Sequence, residues 1–193
     1  MGAGDAAFLA TLRAEPLPTE FNAGSFDCGE PDLTEYLTDG TAANEELAAF
    51  SCCYVVLTDA DQFVGYFNVL ADSIRLRTKE RPAGIVYSSA PAIKLGRMGV
   101  DKPFKSKGVG YWILDYVVGL ARDLSESVGV RYVTLDSLRQ GGLPGWYGRY
   151  GFVENLGEQD NRDALFKWFT KKPRLGQADT LSLRYDILLQ DEN

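Results

Sequence analysis

The sequence predicts a mixed α/β fold, in which a sheet is flanked by helices. Two observations predict it. The segment CCYVVLTDADQFVGYFNVL (52–70) holds two apolar strands joined by a polar turn, which is typical of a hairpin. Residues 92–136 then run strand, helix, strand, so a β-α-β arrangement follows the hairpin.

The N-terminal third supplies two short helices before the hairpin. Residues 1–18 are expected to be loosely ordered. The segment FDCGEPDLTEYL (26–37) begins as a turn and continues as a helix, because Pro31 suits a first helical turn. The segment GTAANEELAAF (40–50) predicts a second helix.

The C-terminal part contains one strongly predicted helix and several strands. Residues 108–124 place their apolar side chains on one stripe, which indicates a helix. Two glycines inside the strand AIKLGRMGV (92–100) indicate a bulge or the close approach of another group. Residues 141–150 predict a loop or a short broken helix, since glycine and proline are poor helix formers. Further strands are predicted at VRYVTLD (130–136), GFVEN (151–155) and TLSLRYDIL (180–188).

Length and composition indicate one globular domain. The 193 residues suffice for a single sizeable core, and 45% of them are hydrophobic. No apolar run is long enough to span a membrane. The first residues lack the basic start and long apolar stretch of a signal peptide, so we expect a cytoplasmic protein. From length and composition we expect a single domain over residues 1–193.

The chain has no histidine, and this excludes several chemistries. A Ser-His-Asp triad, a Cys-His pair and a histidine-ligated metal are all impossible. Any proton transfer must therefore use another titratable group. The three cysteines include the neighbours Cys52 and Cys53, which would point to opposite faces of a strand. We expect buried thiols and neither a disulfide framework nor a metal site.

Charge is distributed unevenly along the chain. Residues 1–74 hold 13 acidic residues and one basic residue, whereas residues 75–193 hold 14 acidic and 19 basic residues. The asymmetry predicts two electrostatic faces, and the alternative is an ordinary solvated acidic surface.

The loop KSKGVG (105–110) between a strand and the strongest helix has the pattern of an anion site. Glycines let several backbone N–H groups converge at the positive end of a helix dipole. Lys105 and Lys107 add positive charge at its rim. The loop matches neither a Walker A sequence nor a complete G-x-G-x-x-G fingerprint, because Ile113 stands where the last glycine would be.

The loop and its surroundings resemble the acetyl-CoA site of the GNAT acetyltransferases. GRMGVDKPFKSKGVGYWIL resembles their Q/R-x-x-G-x-G/A loop, with Lys105 at the Gln/Arg position. The segment WYGRYGF (146–152) resembles their F-Y-x-x-x-G-F segment. Two segments resemble one group within this family, the GNAT toxins of bacterial toxin–antitoxin pairs. They are FDCGEPDLTEYL and LGRMGVDKPFKSKGVG.

The resemblance implies a GNAT-like, mostly antiparallel sheet with a splayed acetyl-CoA cleft. It implies that backbone groups of Met98 and Val100 hold the pantetheine arm and that Tyr147 is the general acid. Asp136 is considered as a base, with helix capping as its alternative. The implied pyrophosphate-binding residues are Lys105, Ser106, Lys107, Gly108, Val109 and Gly110.

The resemblance also implies transfer of an acetyl group to a primary amine, and in the toxins this amine belongs to aminoacyl-tRNA. Two basic segments, RLRTKER (75–81) and KWFTKKPR (167–174), would suit RNA, or else they are solvated edges. The acidic first part instead favours a small cationic amine, a lysine-rich protein or a basic antitoxin. A non-catalytic CoA-binding module stays open as an alternative, and a homodimer is expected.

Overall fold

Seven strands form the sheet in the computed structural model, which describes residues 3–139, 141–161 and 180–189. The strands are β1 (Arg13–Pro16), β2 (Cys52–Leu57), β3 (Phe63–Arg75), β4 (Ser89–Val100), β5 (Tyr132–Leu138), β6 (Val153–Glu154) and β7 (Thr180–Asp186). Their order in the sheet is β1-β2-β3-β4-β5-β7-β6. The pairs β1–β2, β2–β3, β5–β7 and β6–β7 are antiparallel, and β4–β5 is parallel. The predicted mixed, mostly antiparallel fold class is therefore confirmed.

The three helices predicted within 26–37, 40–50 and 108–124 are present with shifted ends, whereas a helix at Ala3–Leu9 was not predicted. The longest helix, α4 (Val109–Ser125), buries an apolar stripe that includes Ile113, Leu114 and Val117. Residues 156–161 are also helical. None of the helices in the described parts of the chain combines the length and apolarity that a bilayer crossing requires. The helices are α1 (Ala3–Leu9), α2 (Pro31–Thr38), α3 (Thr41–Leu47), α4 (Val109–Ser125) and α5 (Leu143–Tyr150), with short 3-10 turns at Thr78–Glu80 and Lys102–Phe104.

The expectation that residues 1–18 are loosely ordered is wrong for the part that the structure describes. Residues 3–9 form α1, and β1 pairs with β2 in an antiparallel register that joins Arg13 to Leu57. The side chain of Arg13 also pairs with Asp61 in the β2–β3 turn. Backbone pairing with a distant strand orders this segment, and the local sequence carries no signal of it.

The chain divides into two compact units, Met1–Leu70 with Leu95–Val117 and Ala71–Lys94 with Val118–Asn193. Strands β3 and β4 and helix α4 each contribute residues to both. That residues 1–193 act as one acetyltransferase domain stays a prediction.

The core of the first unit joins the N-terminal helices to strands β2 and β3. Tyr66 is fully buried, and its hydroxyl donates to the Leu33 carbonyl of α2. The thiol of Cys53 lies in the same core, whereas Cys52 is exposed, so the two neighbours do point to opposite faces. The expectation of buried thiols is therefore wrong for Cys52. The buried members are Phe26, Cys28, Tyr36, Leu37, Ala42, Cys53 and Tyr66.

A charged network organises the second unit around the connection between β3 and β4. The Glu80 carboxylate accepts hydrogen bonds from the Gly157 N–H at 2.9 Å and from Arg184 at 2.6 Å. Arg77 makes two bonds to Asp160, at 2.6 and 2.8 Å. The basic segment 75–81 is thus partly neutralised by acidic residues of its own unit. The other predicted basic segment, 167–174, lies outside the described residues.

Candidate functional site

The loop 105–110 joins β4 to α4 in the first unit, as the sequence predicted. Strand β4 ends at Val100, and Asp101 begins the 3-10 turn by accepting a hydrogen bond from the Lys102 N–H at 3.0 Å. Phe104 closes that turn with a buried ring. The loop therefore follows a turn that is fixed by a side-chain cap and by an apolar anchor.

The backbone of the loop is left-handed at two residues. Ser106 has a φ of 63° and Gly108 a φ of 88°, so glycine suits the second position because it has no Cβ to clash. The Gly108 carbonyl accepts the Trp112 N–H at 3.1 Å and so belongs to the first turn of α4. Val109 is 1% exposed and anchors this end of the helix. The first N–H groups of a helix have no acceptor within it, and they attract anions.

One of the two loop lysines, Lys107, makes cation–π contacts with two aromatic rings. The Lys107 ammonium lies 5.5 Å from the Phe8 ring centroid and 5.3 Å from that of Phe104. These two rings stack with centroids 5.8 Å apart. No local pattern indicates that Phe8 of α1 contacts Lys107, because about half of the chain lies between the two residues.

The candidate residues of β4, Met98 and Val100, are both half-buried. Neighbouring glycines accommodate side chains of β3. A Cβ at Gly96 would lie 2.7 Å from Asn68 Oδ1, and a Cβ at Gly99 would lie 2.7 Å from Tyr66 Cε1. Close packing of β3 side chains thus explains both glycines. The splayed cleft that the resemblance implies stays a prediction.

A polar network beside β4 is the feature that sequence reasoning missed. Asn68 is 1% exposed; its Oδ1 accepts the Arg97 N–H at 2.6 Å, and its Nδ2 donates to the Tyr36 hydroxyl at 2.8 Å. The Tyr36 hydroxyl in turn donates to Glu45 at 2.8 Å. The guanidinium of Arg97 lies 4.2 Å from the Tyr36 ring centroid and 3.7 Å from a Glu45 oxygen.

This network joins residues from α2, α3, β3 and β4 and holds β4 one residue before Met98. Burial raises the pKa of Tyr36 to about 12, so its hydroxyl is a donor throughout the neutral range. No local pattern could have indicated the network, because its members are separated by long stretches of chain.

Tyr147 lies in the second unit, in helix α5. The segment predicted as a loop or a broken helix is an eight-residue helix, Leu143–Tyr150. The ring is half-buried and packs edge-on against Trp146, with centroids 4.8 Å apart, and against Phe152 at 5.8 Å. Burial raises the pKa of Tyr147 to about 12, so the phenol is protonated at neutral pH and can donate a proton.

Asp136 of β5 forms an ion pair with Lys94 of β4. Their charged atoms are 2.7 Å apart, and about a quarter of each side chain is exposed, 24% for Lys94 and 28% for Asp136. The aspartate lies within the strand, so it does not fill the helix-capping position that was its alternative role. Use of Asp136 as a base stays untested.

No protein-family model matches the chain. A tRNA-acetylating toxin of Mycobacterium tuberculosis is 28% identical over 115 residues, which cover 59% of this chain and 68% of that toxin. A crystal structure of a KacT mutant is similar with a TM-score of 0.69 at 20% identity, covering 92% of this chain and 95% of the other.

Two structures of AtaT are similar as well. AtaT complexed with acetyl-methionyl-tRNAfMet has a TM-score of 0.68 at 20% identity, covering 89% of this chain and 93% of the other. AtaTR bound with acetyl-CoA has a TM-score of 0.65 at 19% identity, covering 91% and 94%. By sequence and by fold, the chain is similar to the GNAT-type tRNA-acetylating toxins of toxin–antitoxin systems, as its motifs predicted.

Proposed function

We propose that this chain is an acetyl-CoA-dependent N-acetyltransferase whose acceptor is the amino group of an aminoacyl-tRNA. The observation that carries the proposal is the loop 105–110, in a chain that is 28% identical to a tRNA-acetylating toxin over 115 residues. The loop has two left-handed residues and exposed lysines directly before the 17-residue helix α4. A pyrophosphate there would meet backbone N–H groups at the positive end of the helix dipole.

In this reaction, backbone groups of β4 bind and polarise the thioester, and the Tyr147 side chain supplies a proton. Backbone groups of Met98 and Val100 hold the pantetheine arm and place the thioester. The acceptor amine attacks the thioester carbon, so that a C–N bond forms, and the Met98 N–H stabilises the developing oxyanion. The C–S bond then breaks, and the Tyr147 hydroxyl gives its proton to the departing CoA thiolate. The proton lost by the amine passes to water or to the tyrosinate.

An aminoacyl ester suits this set of residues, because its amine needs no strong base. An α-amino group has a pKa near 8, so a useful fraction is already neutral at pH 7 to 8. The absence of histidine from the chain therefore does not prevent the reaction.

The acidic first part of the chain is less of a barrier to RNA than its sequence predicted. Asp27 pairs with Lys102, Glu45 lies near Arg97, and Arg13 pairs with both Glu15 and Asp61. Several of its carboxylates are therefore neutralised by cations of the same unit, and the surface left to repel phosphate is smaller. A small cationic amine remains the competing acceptor.

The acceptor is tested by incubating the protein with labelled acetyl-CoA and a purified pool of charged tRNA. Parallel samples contain the same pool stripped of its amino acids, or spermidine. We expect label on charged tRNA only. Label on spermidine with none on tRNA would favour the small-amine acceptor. No label anywhere, with CoA still bound, would favour the non-catalytic module.

Tyr147 is tested with the variant Tyr147→Phe. Loss of a positioned acid typically costs about 100-fold or more in rate, so kcat should fall by about that factor. The dissociation constant for CoA should change less than about twofold. The matched control is Tyr150→Phe, which alters a second tyrosine of α5 that also packs on Phe152, and it should keep most of the activity. Equal rates for the wild type and Tyr147→Phe would remove Tyr147 from the mechanism.

The proposal extends to partners and to location. AtaT has been solved bound to the C-terminus of the antitoxin AtaR, and we propose that an antitoxin protein binds this chain too. A cytoplasmic location belongs to the same proposal, because aminoacyl-tRNA is consumed there. The homodimer stays a prediction, and sedimentation of the purified protein would test it.

A further inference from the structure

The turn FDCG (Phe26–Gly29) lies against the entrance of the loop 105–110. The Asp27 N–H donates to Asp101 Oδ1 at 3.0 Å, and the Lys102 N–H donates to the Asp27 carbonyl at 3.1 Å. Asp101 also begins the 3-10 turn that leads into the loop. The turn is therefore bonded directly to Asp101 and Lys102, where the 3-10 turn that leads to the candidate pyrophosphate site begins.

The Asp27 side chain adds two further bonds. Its Oδ1 accepts the Gly29 N–H at 2.7 Å and closes the turn, while its Oδ2 pairs with the Lys102 ammonium. Hydrogen bonding from Lys102 and from the Gly29 N–H holds the pKa of Asp27 below its usual range, so it is charged at neutral pH. One carboxylate thus fixes both the turn and the lysine beside the loop.

The other three residues of the motif support the same contact. Phe26 is 5% exposed and packs edge-on against Tyr66, with centroids 5.7 Å apart. Cys28 is 2% exposed. Gly29 has a φ of +81°, and a Cβ added there would lie 3.4 Å from both Lys102 Cε and Lys105 Nζ. A larger residue at Gly29 would be strained by the left-handed φ, and its Cβ would contact the ends of both lysine side chains.

We infer that Asp27 is a positioning residue for cofactor binding, which fixes Asp101 and Lys102 and thereby the loop 105–110. The inference rests on the proposed function, because it takes the loop as the pyrophosphate site of acetyl-CoA. Several N–H groups can bind one pyrophosphate only if they converge, and a shift of about 1 Å takes them out of hydrogen-bonding range. Asp27 carries a negative charge near an anion site, and its pairing with Lys102 offsets that charge.

The test compares Asp27→Ala, Asp27→Asn and a matched control, Asp39→Ala. Asp39 lies between α2 and α3 in the same unit and accepts the Thr41 N–H at 2.8 Å, so its replacement removes a similar turn bond elsewhere. CoA binding is measured by calorimetry, and the Michaelis constants for acetyl-CoA and charged tRNA are measured separately.

For Asp27→Ala, we expect the CoA dissociation constant and the KM for acetyl-CoA to rise about tenfold. We expect kcat and the KM for tRNA to stay within about threefold. Asp27→Asn should fall between Asp27→Ala and the wild type, because its amide keeps the bond to Gly29 and loses the charge pair with Lys102. Asp39→Ala should bind CoA like the wild type.

An unchanged CoA dissociation constant in a folded Asp27→Ala protein would overturn the inference. A rise confined to the KM for tRNA would overturn it as well. If Asp27→Ala does not fold, Asp27→Asn decides by the same measurement. A wild-type protein that binds no CoA would overturn both this inference and the proposed function. A wild type that binds CoA but transfers no acetyl group would refute only the proposed transfer reaction.

Discussion

Replacement of Asn68 by alanine should be among the most destabilising polar substitutions in the first unit. The side chain is 1% exposed and bridges three elements, because it accepts from the Arg97 N–H of β4 and donates to the Tyr36 hydroxyl of α2. Alanine removes both bonds and leaves space beside Gly96, where Asn68 Oδ1 now lies.

The two lost bonds have unequal costs. The Arg97 N–H would lose its acceptor in a part-buried position, which costs about 1–3 kcal/mol. The Tyr36 hydroxyl would keep its bond to Glu45, so loss of the bond between Asn68 and Tyr36 adds only about 0.5–1 kcal/mol. The free energy of unfolding should therefore fall by about 1.5–4 kcal/mol.

Urea denaturation followed by tryptophan fluorescence measures this change. The denaturation midpoint should fall by about 1–2 M with little change in slope, since slopes of about 1–3 kcal/mol/M are typical. The control is Asn22→Ala, which removes an exposed bond of 2.8 Å to the Gly24 N–H and should cost less than about 1 kcal/mol. An Asn68→Ala protein within about 0.5 kcal/mol of the wild type would show that the two Asn68 bonds do not stabilise the fold.

Three further predictions test packing, pH dependence and thiol exposure. Gly119→Ala in α4 has open space for its Cβ and should raise the free energy of unfolding by about 0.5–1 kcal/mol. Gly65→Ala would place a Cβ 2.4 Å from a carbonyl oxygen of β4 and should lower the free energy of unfolding by more than about 2 kcal/mol. Urea denaturation measures both changes, and a similar shift of the midpoint in the two variants would contradict the prediction. Although burial opposes the charge of Glu80, hydrogen bonds from backbone N–H groups and from Arg184 lower its pKa. The stabilisation from Glu80 is therefore present above pH about 4.5 and is lost as the pH falls through the folded pKa. Glu80→Gln should flatten the acid side of a curve of unfolding free energy against pH, and an unchanged curve would exclude this role. A maleimide should label the native protein at exposed Cys52 and spare Cys53, because burial shields the Cys53 thiol and raises its pKa to about 12. Mass spectrometry of the Cys52→Ser variant should then show little labelling. Substantial labelling of that variant would contradict the difference in exposure between the two thiols.

The parts of the candidate site that the sequence predicted are local. The loop 105–110 could be placed between a strand and a helix because both elements have strong periodicities and because glycine marks the turn. Tyr147 could be located from a seven-residue resemblance. The helical state of its segment could not, because intrinsic propensity disfavours glycine and proline there, whereas packing of Tyr147 and Tyr150 on Phe152 favours the helix.

The contacts that position the site come from residues distant in sequence. Asp27 and Lys102 are 75 residues apart, and Asn68 and Arg97 are 29 apart. Each of these residues would be an ordinary surface or strand residue by local pattern. Only the folded chain shows that the FDCG turn borders the loop or that Asn68 holds β4 through the Arg97 N–H.

From the sequence came the exclusion of histidine-dependent chemistry, the hairpin of β2 and β3, helix α4 and the prediction that the loop 105–110 binds an anion. Periodicity, turn composition and residue inventory act over a few residues, so they can be read without a structure. Tertiary structure alone decided that residues 3–16 are ordered, that Gly96 and Gly99 make room for β3 side chains and that Asp27 reaches the loop. Those outcomes depend on which surfaces meet when distant segments pack, and pairwise contacts of that range leave no local pattern in the chain.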